Sequence, residues 1–370
     1  MPHISDPLQL KGLHLANRLV MAPMVTGLAV ADAPSDAQVA WYAKRARSGV
    51  GLLIVEATAV LPDAKPLPFM LGLWNDAQVA GLSRLASAIK AAGIPAVLQI
   101  VHGGARAWRD DLARERIGPS AVPLMPGPPP RAMTEAEIEE TIGAFAAAAS
   151  RAKAAGFDGV EIHAAHYFLL SQFLSPYVNR RSDRWGGDRR GRGRLAAEVT
   201  RAIRRAAGPD YPVFCRMHAV ELVNGGMGTE DAACFARAFE EAGADLIDAS
   251  AIGQSSLAER EGRRYLTTTS VSPKGAPAGE FAPFAGRLKA EVGIPVITVG
   301  KLWESTAAQQ VLDRRQADLV ALARQLIADP TAAHKLLAGR DAEIQRCKEC
   351  STCFAAIRKG PVKCSVNRDC

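Results

Sequence analysis

Two groups of residues in this chain have types and spacing suited to chemistry. The first is Gly159-Val160-Glu161-Ile162-His163-Ala164-Ala165-His166, an apolar strand ending in two histidines three residues apart. At the carboxyl end of a strand, both imidazoles can donate hydrogen bonds to one oxygen and stabilise charge that develops on it. The same spacing also suits two histidines satisfied within the structure, while a zinc pair lacks an evident third ligand nearby. The second group is Cys347, Cys350 and Cys353, followed at a distance by Cys364, with Cys370 last. Five of the seven cysteines fall in the last 24 residues, and in a reducing compartment such crowding points to metal rather than disulfides. Three thiols at C-x2-C-x2-C with a remote fourth suit an iron–sulfur cube; zinc on four thiolates uses the same pairs. Cys215 and Cys234 read as ordinary buried or half-buried thiols.

The elements that must position these residues alternate regularly. Short apolar or β-branched runs are expected as strands at residues 19–22, 52–56, 96–100, 159–163, 213–217, 246–250, 296–299 and 319–323. Ala-rich stretches with helical spacing lie between them, such as 76–91 and 134–154. The second opens on Thr134 with Glu137 three residues on, a capping box. Gly93, Gly156, Gly243 and Gly293 stand where helices should turn back toward strands. Eight such units argue for an α/β fold with a parallel sheet closed into a single (β/α)8 TIM barrel. The barrel is expected over residues 1–345, and a short Cys-rich tail over 346–370, where the periodicity stops. Residues 103–131 are too long for a plain connection, and with the loop at 254–280 they are expected to form the rim that sets the substrate.

Composition narrows the class. Hydrophobic residues make up 48% and charged residues 22%, ordinary for a globular protein with a large core. The net charge of +7 is spread along the chain, which argues against nucleic acid as a partner. The densest basic run, residues 179–194 with seven arginines, reads first as a solvated, partly structural loop. No apolar stretch approaches the roughly 18 residues of a membrane span. The first residues, Met1-Pro2-His3-Ile4-Ser5-Asp6, lack the regions of a signal peptide, so a cytoplasmic location is expected.

The run at residues 161–187, EIHAAHYFLLSQFLSPYVNRRSDRWGG, resembles the signature of the old yellow enzyme family of FMN-dependent oxidoreductases. Asn17-Arg-Leu-Val-Met-Ala-Pro-Met24, Glu56-Ala-Thr-Ala59, Gln99-Ile-Val-His-Gly-Gly104, Gly118-Pro-Ser-Ala121 and Thr134-Glu-Ala-Glu-Ile138 match in the family's order, so the likeness covers residues 5–335. The resemblance implies bound FMN, with NAD(P)H as co-substrate. It implies that Pro23 and Met24 contact the flavin ring, with Ala57 beside it, and that Gln99 bonds its pyrimidine edge. Arg216 would place positive charge near that edge, and an acidic partner is expected for it on any reading. Gly300, Lys301, Ala323 and Arg324 stand where the family binds the phosphate, Ala323 replacing a usual Gly. His163 and His166 would be catalytic.

Two departures bear on mechanism. The histidine pair is followed in typical ene-reductases by Gly-Tyr, whose Tyr supplies a proton; here the residues are Tyr167-Phe168, so the donor position is Phe168. After Pro23-Met24 comes Val25 rather than the Thr or Cys that tunes the flavin. The Cys tail resembles that of the subgroup with 2,4-dienoyl-CoA reductase and trimethylamine dehydrogenase, whose barrels carry a [4Fe–4S] cluster on cysteines matching Cys347, Cys350, Cys353 and Cys364. Those enzymes continue into nucleotide-binding domains, so a cluster here is expected to use an electron-transfer partner protein or to be structural. Barrels of the family often pair as homo-oligomers.

Three functions follow. The first is hydride transfer from NAD(P)H through FMN to the C=C bond of an unsaturated carbonyl compound, with His163 and His166 holding the carbonyl oxygen. The second is amine oxidation or N-demethylation that passes electrons to a partner, favoured by Phe168 and the Cys tail. The third is a non-redox barrel whose tail is stapled by zinc.

Overall fold

The computed structural model describes residues 1–109, 115–252, 272 and 274–370, together with the backbone of residues 256–260 and 263–267. Eight parallel strands form its centre: β1 (Leu19–Met21), β2 (Leu52–Ala59), β3 (Ala96–Val101), β4 (Gly159–Ala164), β5 (Val213–Glu221), β6 (Leu246–Ile252), β7 (Val296–Val299) and β8 (Leu319–Leu322). Each pairs with the next, and β8 pairs back to β1, so the sheet closes. All eight fall where the sequence pattern puts them. β5 runs furthest past expectation, to Glu221, because its polar upper residues are still paired to β6. Helices around the sheet among the described residues include α1 (Asp36–Ala46), α2 (Val79–Lys90), α3 (Glu135–Ala154), α4 (Arg189–Ala207), α5 (Thr229–Glu241), α6 (Ala282–Lys289), α7 (Ser305–Asp313) and α8 (Ala332–Leu337).

The strand period of two sorts residues into two cores. Val20, Leu52, Ile54, Val97, Phe214, Leu246, Ile297 and Leu319 fill the barrel's interior, closed below by Leu10, Leu13 and Leu15 of an amino-terminal hairpin. Their neighbours Leu53, Leu98, Val160, Ile162, Ile247 and Val320 face outward and pack under the helices. Thr134 caps α3 as expected, accepting from Glu137 N while Glu137 returns a bond to Thr134 N at 2.8 Å. Gly93, Gly156 and Gly243 adopt the left-handed backbone that ends a helix, whereas Gly293 is not among the positive-φ glycines.

The Arg-rich run is a brace. Arg181 donates to Pro119 O and Met133 O, Arg192 to Leu174 O, and Arg194 to Arg184 O. Arg189 and Arg192 both pair with Asp231 at the start of α5. No helix among the described residues is long and apolar enough to cross a membrane. The rim at 103–131 and 254–280 lies partly outside the described residues. Its backbone includes a hairpin of Ser256–Arg260 with Arg263–Thr267.

Candidate active site

Toward the carboxyl ends of the strands, the interior positions change from apolar to polar. On β3 the inward series is Val97, Gln99; on β4 Glu161, His163; on β5 Phe214, Arg216, His218; on β6 Leu246, Asp248, Ser250. Register then assembles them: Gln99 stands opposite Glu161, Arg216 opposite both His163 and Asp248, and His218 opposite Ser250. Gln99 Nε2 donates to Glu161 Oε1 at 2.6 Å, and Arg216 Nε lies 3.4 Å from Asp248 Oδ2. The acidic partner expected for Arg216 is therefore present. Burial and the nearby Asp248 hold the Glu161 carboxyl well above the usual range, and burial also raises Asp248 against the pull of Arg216.

Above this layer opens a cavity of about 1320 Å³, counting space open to solvent. Pro23, Met24, Ala57, Gln99, His163, His166, Arg216, Gly300, Lys301, Ala323 and Arg324 all line it, so the site residues read from the barrel sequence converge on one place. The ring centroids of His163 and His166 are 5.0 Å apart and nearly perpendicular. His163 Nδ1 accepts from Ala165 N at 3.3 Å, which leaves its proton on Nε2. His166 Nε2 meets Ser250 Oγ at 2.9 Å. Burial lowers both imidazoles well below their ordinary value, with Arg216 adding to the effect in each and His163 adding to that on His166. The shift favours the neutral form of both rings, in which an imidazole carries one N–H.

Phe168 lines the cavity, its ring edge-on to His163 at 4.8 Å between centroids. Tyr167 is fully buried on the other side, packed with Ala105, Leu124, Val178 and Ile252. The one-residue offset in the sequence thus turns the hydroxyl away from the cavity. Val25 lines the cavity, and the amide of Thr26 instead binds the buried Glu56, at 3.0 Å.

At the far end, Gly300 has φ +132, a backbone closed to most side chains, and Lys301 follows at φ +55. The Lys301 ammonium pairs with Glu349 of the tail at 2.6 Å and donates to Ala276 O at 3.0 Å. Arg324 Nη1 is buried without a hydrogen-bond partner.

Cys347, Cys350, Cys353 and Cys364 line a second cavity, of about 280 Å³, together with Arg324 and Ile327. Arg324 and Cys353 line both cavities. Among the described residues, no three His, Cys, Asp or Glu side chains are gathered closely enough to hold a metal ion. All the cysteines are free thiols. Hydrogen bonds from Ser365 and Thr352 bring the Cys350 thiol down to about 7, whereas burial raises Cys347 and Cys353.

Sequence reasoning missed several residues around the site. His218 and Ser250 were legible only as inward positions two beyond Arg216 and Asp248. Leu67, Met70, Trp303, Phe354 and Ile357 line the cavity from segments that carry no motif, and only the fold brings them there.

A model of the NADH:flavin oxidoreductase / NADH oxidase family matches residues 3–343. The chain is 37% identical over 374 residues to an NADH oxidase of Thermoanaerobacter brockii, covering 99% of this chain and 56% of that protein. It therefore spans a little over half the length of that relative. It is 36% identical over 330 residues to an NADPH dehydrogenase of Geobacillus thermodenitrificans, covering 88% of this chain and 91% of that one. Among solved structures, a morphinone reductase in complex with tetrahydroNAD is similar at a TM-score of 0.76 and 29% identity, with 92% of each chain covered.

Proposed function

The chain belongs to the NADH:flavin oxidoreductase / NADH oxidase family of oxidoreductases, and from that premise we propose that it uses FMN and NAD(P)H to reduce the activated C=C bond of an unsaturated carbonyl compound. The observation that carries this reading is the pair of buried histidines, both shifted toward the neutral form, standing beside Arg216 in the cavity above the strand ends. Membership of an oxidoreductase family removes the reading as a non-redox barrel.

The residues present suit FMN. Pro23, Met24 and Ala57 form an apolar wall for the ring, and Gln99, whose Nε2 is engaged by Glu161, has Oε1 left to accept from it. Arg216 would compensate negative charge on the reduced ring. The buried, unpartnered Nη1 of Arg324 suits a phosphate oxygen, as does the open backbone at Gly300. The Lys301 ammonium is held by Glu349, so its share of phosphate binding falls to its backbone N–H. Bound FMN would supply two-electron hydride chemistry between a nicotinamide and the substrate.

The protein's own part is electrostatic. Nε2–H of His163 donates to the substrate carbonyl oxygen. With the Ser250 hydroxyl as donor to His166 Nε2, 2.9 Å away, the second ring proton would stand on Nδ1 for the same oxygen. Negative charge developing on that oxygen is stabilised by two fixed donors in a buried setting. Phe168, Leu67, Met70 and Phe354 exclude water and suit a flat, apolar substrate.

A test is reduction of 2-cyclohexenone by NADH and by NADPH, with the His163→Ala/His166→Ala variant alongside. We expect flavin-loaded wild-type protein to reduce the enone and the double variant to lose about 100- to 1000-fold in kcat/KM. A double variant with the full rate would overturn the reading.

The second reading, oxidation of a methylated amine with electrons leaving to a partner protein, draws on Cys353 and Arg324 joining the two cavities. Against it, no carboxylate lines the large cavity among the described residues, whereas Arg216, Lys301 and Arg324 do, a poor setting for an ammonium substrate. Turnover of dimethylamine with an artificial electron acceptor, absent with 2-cyclohexenone, would reverse the choice. For the tail at 346–370, appended to a barrel at 1–345, four thiols on one cavity suit a [4Fe–4S] cluster or zinc in kind and number. Binding would have to draw the thiols together, and iron, sulfide and zinc analysis of anaerobically purified protein distinguishes the two.

A further inference from the structure

Two successive residues, His166 (φ +59) and Tyr167 (φ +53), occupy the left-handed backbone region although neither is glycine. Such a conformation persists only where its surroundings hold it. Here His166 N donates to His218 Nε2 at 2.6 Å, and Arg106 Nη1 donates to His166 O at 2.8 Å. Gln172 Nε2 donates to Tyr167 O at 2.7 Å, which fixes the next peptide. This left-handed turn takes His166, rather than its neighbour, to the cavity wall.

We propose that His218 is a positioning residue for the oxyanion donors, gripping the main chain of His166 so that its imidazole meets the substrate oxygen. The inference rests on the reading of His163 and His166 given above. His218 is fully buried and does not line the cavity, so it acts through His166. Its Nε2 accepts from an amide, so its ring proton is on Nδ1, facing Ser171 Oγ at 3.4 Å and Glu221 Oε1 at 3.6 Å. Glu221 is itself fixed by Ser175 Oγ at 2.7 Å and Met227 N at 2.9 Å, so the histidine cannot swivel freely. Strand register completes the grip. His218 on β5 stands opposite Ser250 on β6; one holds the backbone of His166 and the other its ring.

The test compares His218→Gln with His218→Asn, two polar variants that differ in reach. Gln Oε1 can take the place of Nε2 and accept from His166 N; Asn ends near the old Nδ1 and cannot. FMN-loaded proteins are titrated with 4-nitrophenol, whose own visible absorption reports how far bound phenol is held as phenolate by the two imidazoles. Enone kcat/KM is measured in parallel. We expect His218→Gln to stay within about 3-fold of wild type in both readouts, and His218→Asn to lose about 10- to 100-fold in phenolate affinity and kcat/KM with flavin retained. Equal behaviour of the two variants, whether both intact or both impaired, overturns the proposal. If the wild-type protein neither holds nitrophenolate nor reduces the enone, the oxyanion reading itself falls, a result separable from any difference between the variants.

Discussion

Glu56 shows how much a single buried carboxyl can do next to the candidate site. Its oxygens are fully buried behind the loop that carries Met24 and Val25, accepting from Thr26 N at 3.0 Å and from Tyr42 Oη at 3.2 Å. Burial pushes its pKa from 4.5 up to about 7, against the lowering effect of those hydrogen bonds. Between these two values the folded protein keeps a proton that the unfolded chain has lost, so this residue's contribution to stability falls as pH rises through the window. Glu56→Gln keeps an acceptor for Thr26 and removes the titration. We expect its urea-unfolding free energy to lack a decline of about 3 kcal/mol between pH 4.5 and 7 that wild type shows from this group. Parallel curves for the two proteins would show that Glu56 ionises normally. The histidine pair shifts the other way. Both rings are neutral when folded and protonate more readily when unfolded, so their contribution is complete above an unperturbed histidine pKa of about 6.5 and is lost as pH falls below it.

Elements are where the sequence was most legible. Every strand was marked by an apolar run, and α3 was marked by its own start signal. Thr134 and Glu137 make the reciprocal bonds their spacing implies, and Arg131 then binds Glu137 through both terminal nitrogens at 3.0 and 2.6 Å. Thr134→Ala should therefore cost about 1 kcal/mol of stability in urea denaturation and leave enone turnover unchanged. A cost near zero would mean that Arg131 and Glu137 hold the turn alone. What the element pattern did not reveal is the stagger between strands. Inward residues two apart are obvious on each strand, but only closure of the barrel sets Arg216 level with His163 and Asp248, and His218 level with Ser250. The one-residue offset, by contrast, was legible: the sequence set Phe168 at the position of the usual Tyr, and Phe168 lines the cavity while Tyr167 is buried away from it.

At the scale of the whole molecule, the tail is built onto the barrel. Val362 N donates to Thr26 O at 2.7 Å, Cys347 N to Gln325 Oε1 at 3.1 Å, and Asn367 Nδ2 to Ile327 O at 2.9 Å. Gly27 lies beneath Gly360 so closely that a Cβ would meet its carbonyl oxygen at 2.2 Å, and its φ of +65 adds strain to any side chain. Gly27→Ala should lift the tail, lowering stability by about 2 kcal/mol or more and speeding reaction of Cys353 and Cys364 with a thiol reagent. Unchanged thiol rates would mean that the tail is held elsewhere. The sequence by itself determined the barrel, because strand and helix periods and capping residues are local properties written residue by residue. It also determined which family supplies the chemistry, because the matching motifs recur in order along one chain. Tertiary structure alone decided that Phe354 and Ile357 of the tail wall the large cavity, that Lys301 is bound to Glu349, and that His218 grips His166. Each of these joins residues tens to hundreds of positions apart, through contacts that exist only once the barrel has closed and the tail has docked on it.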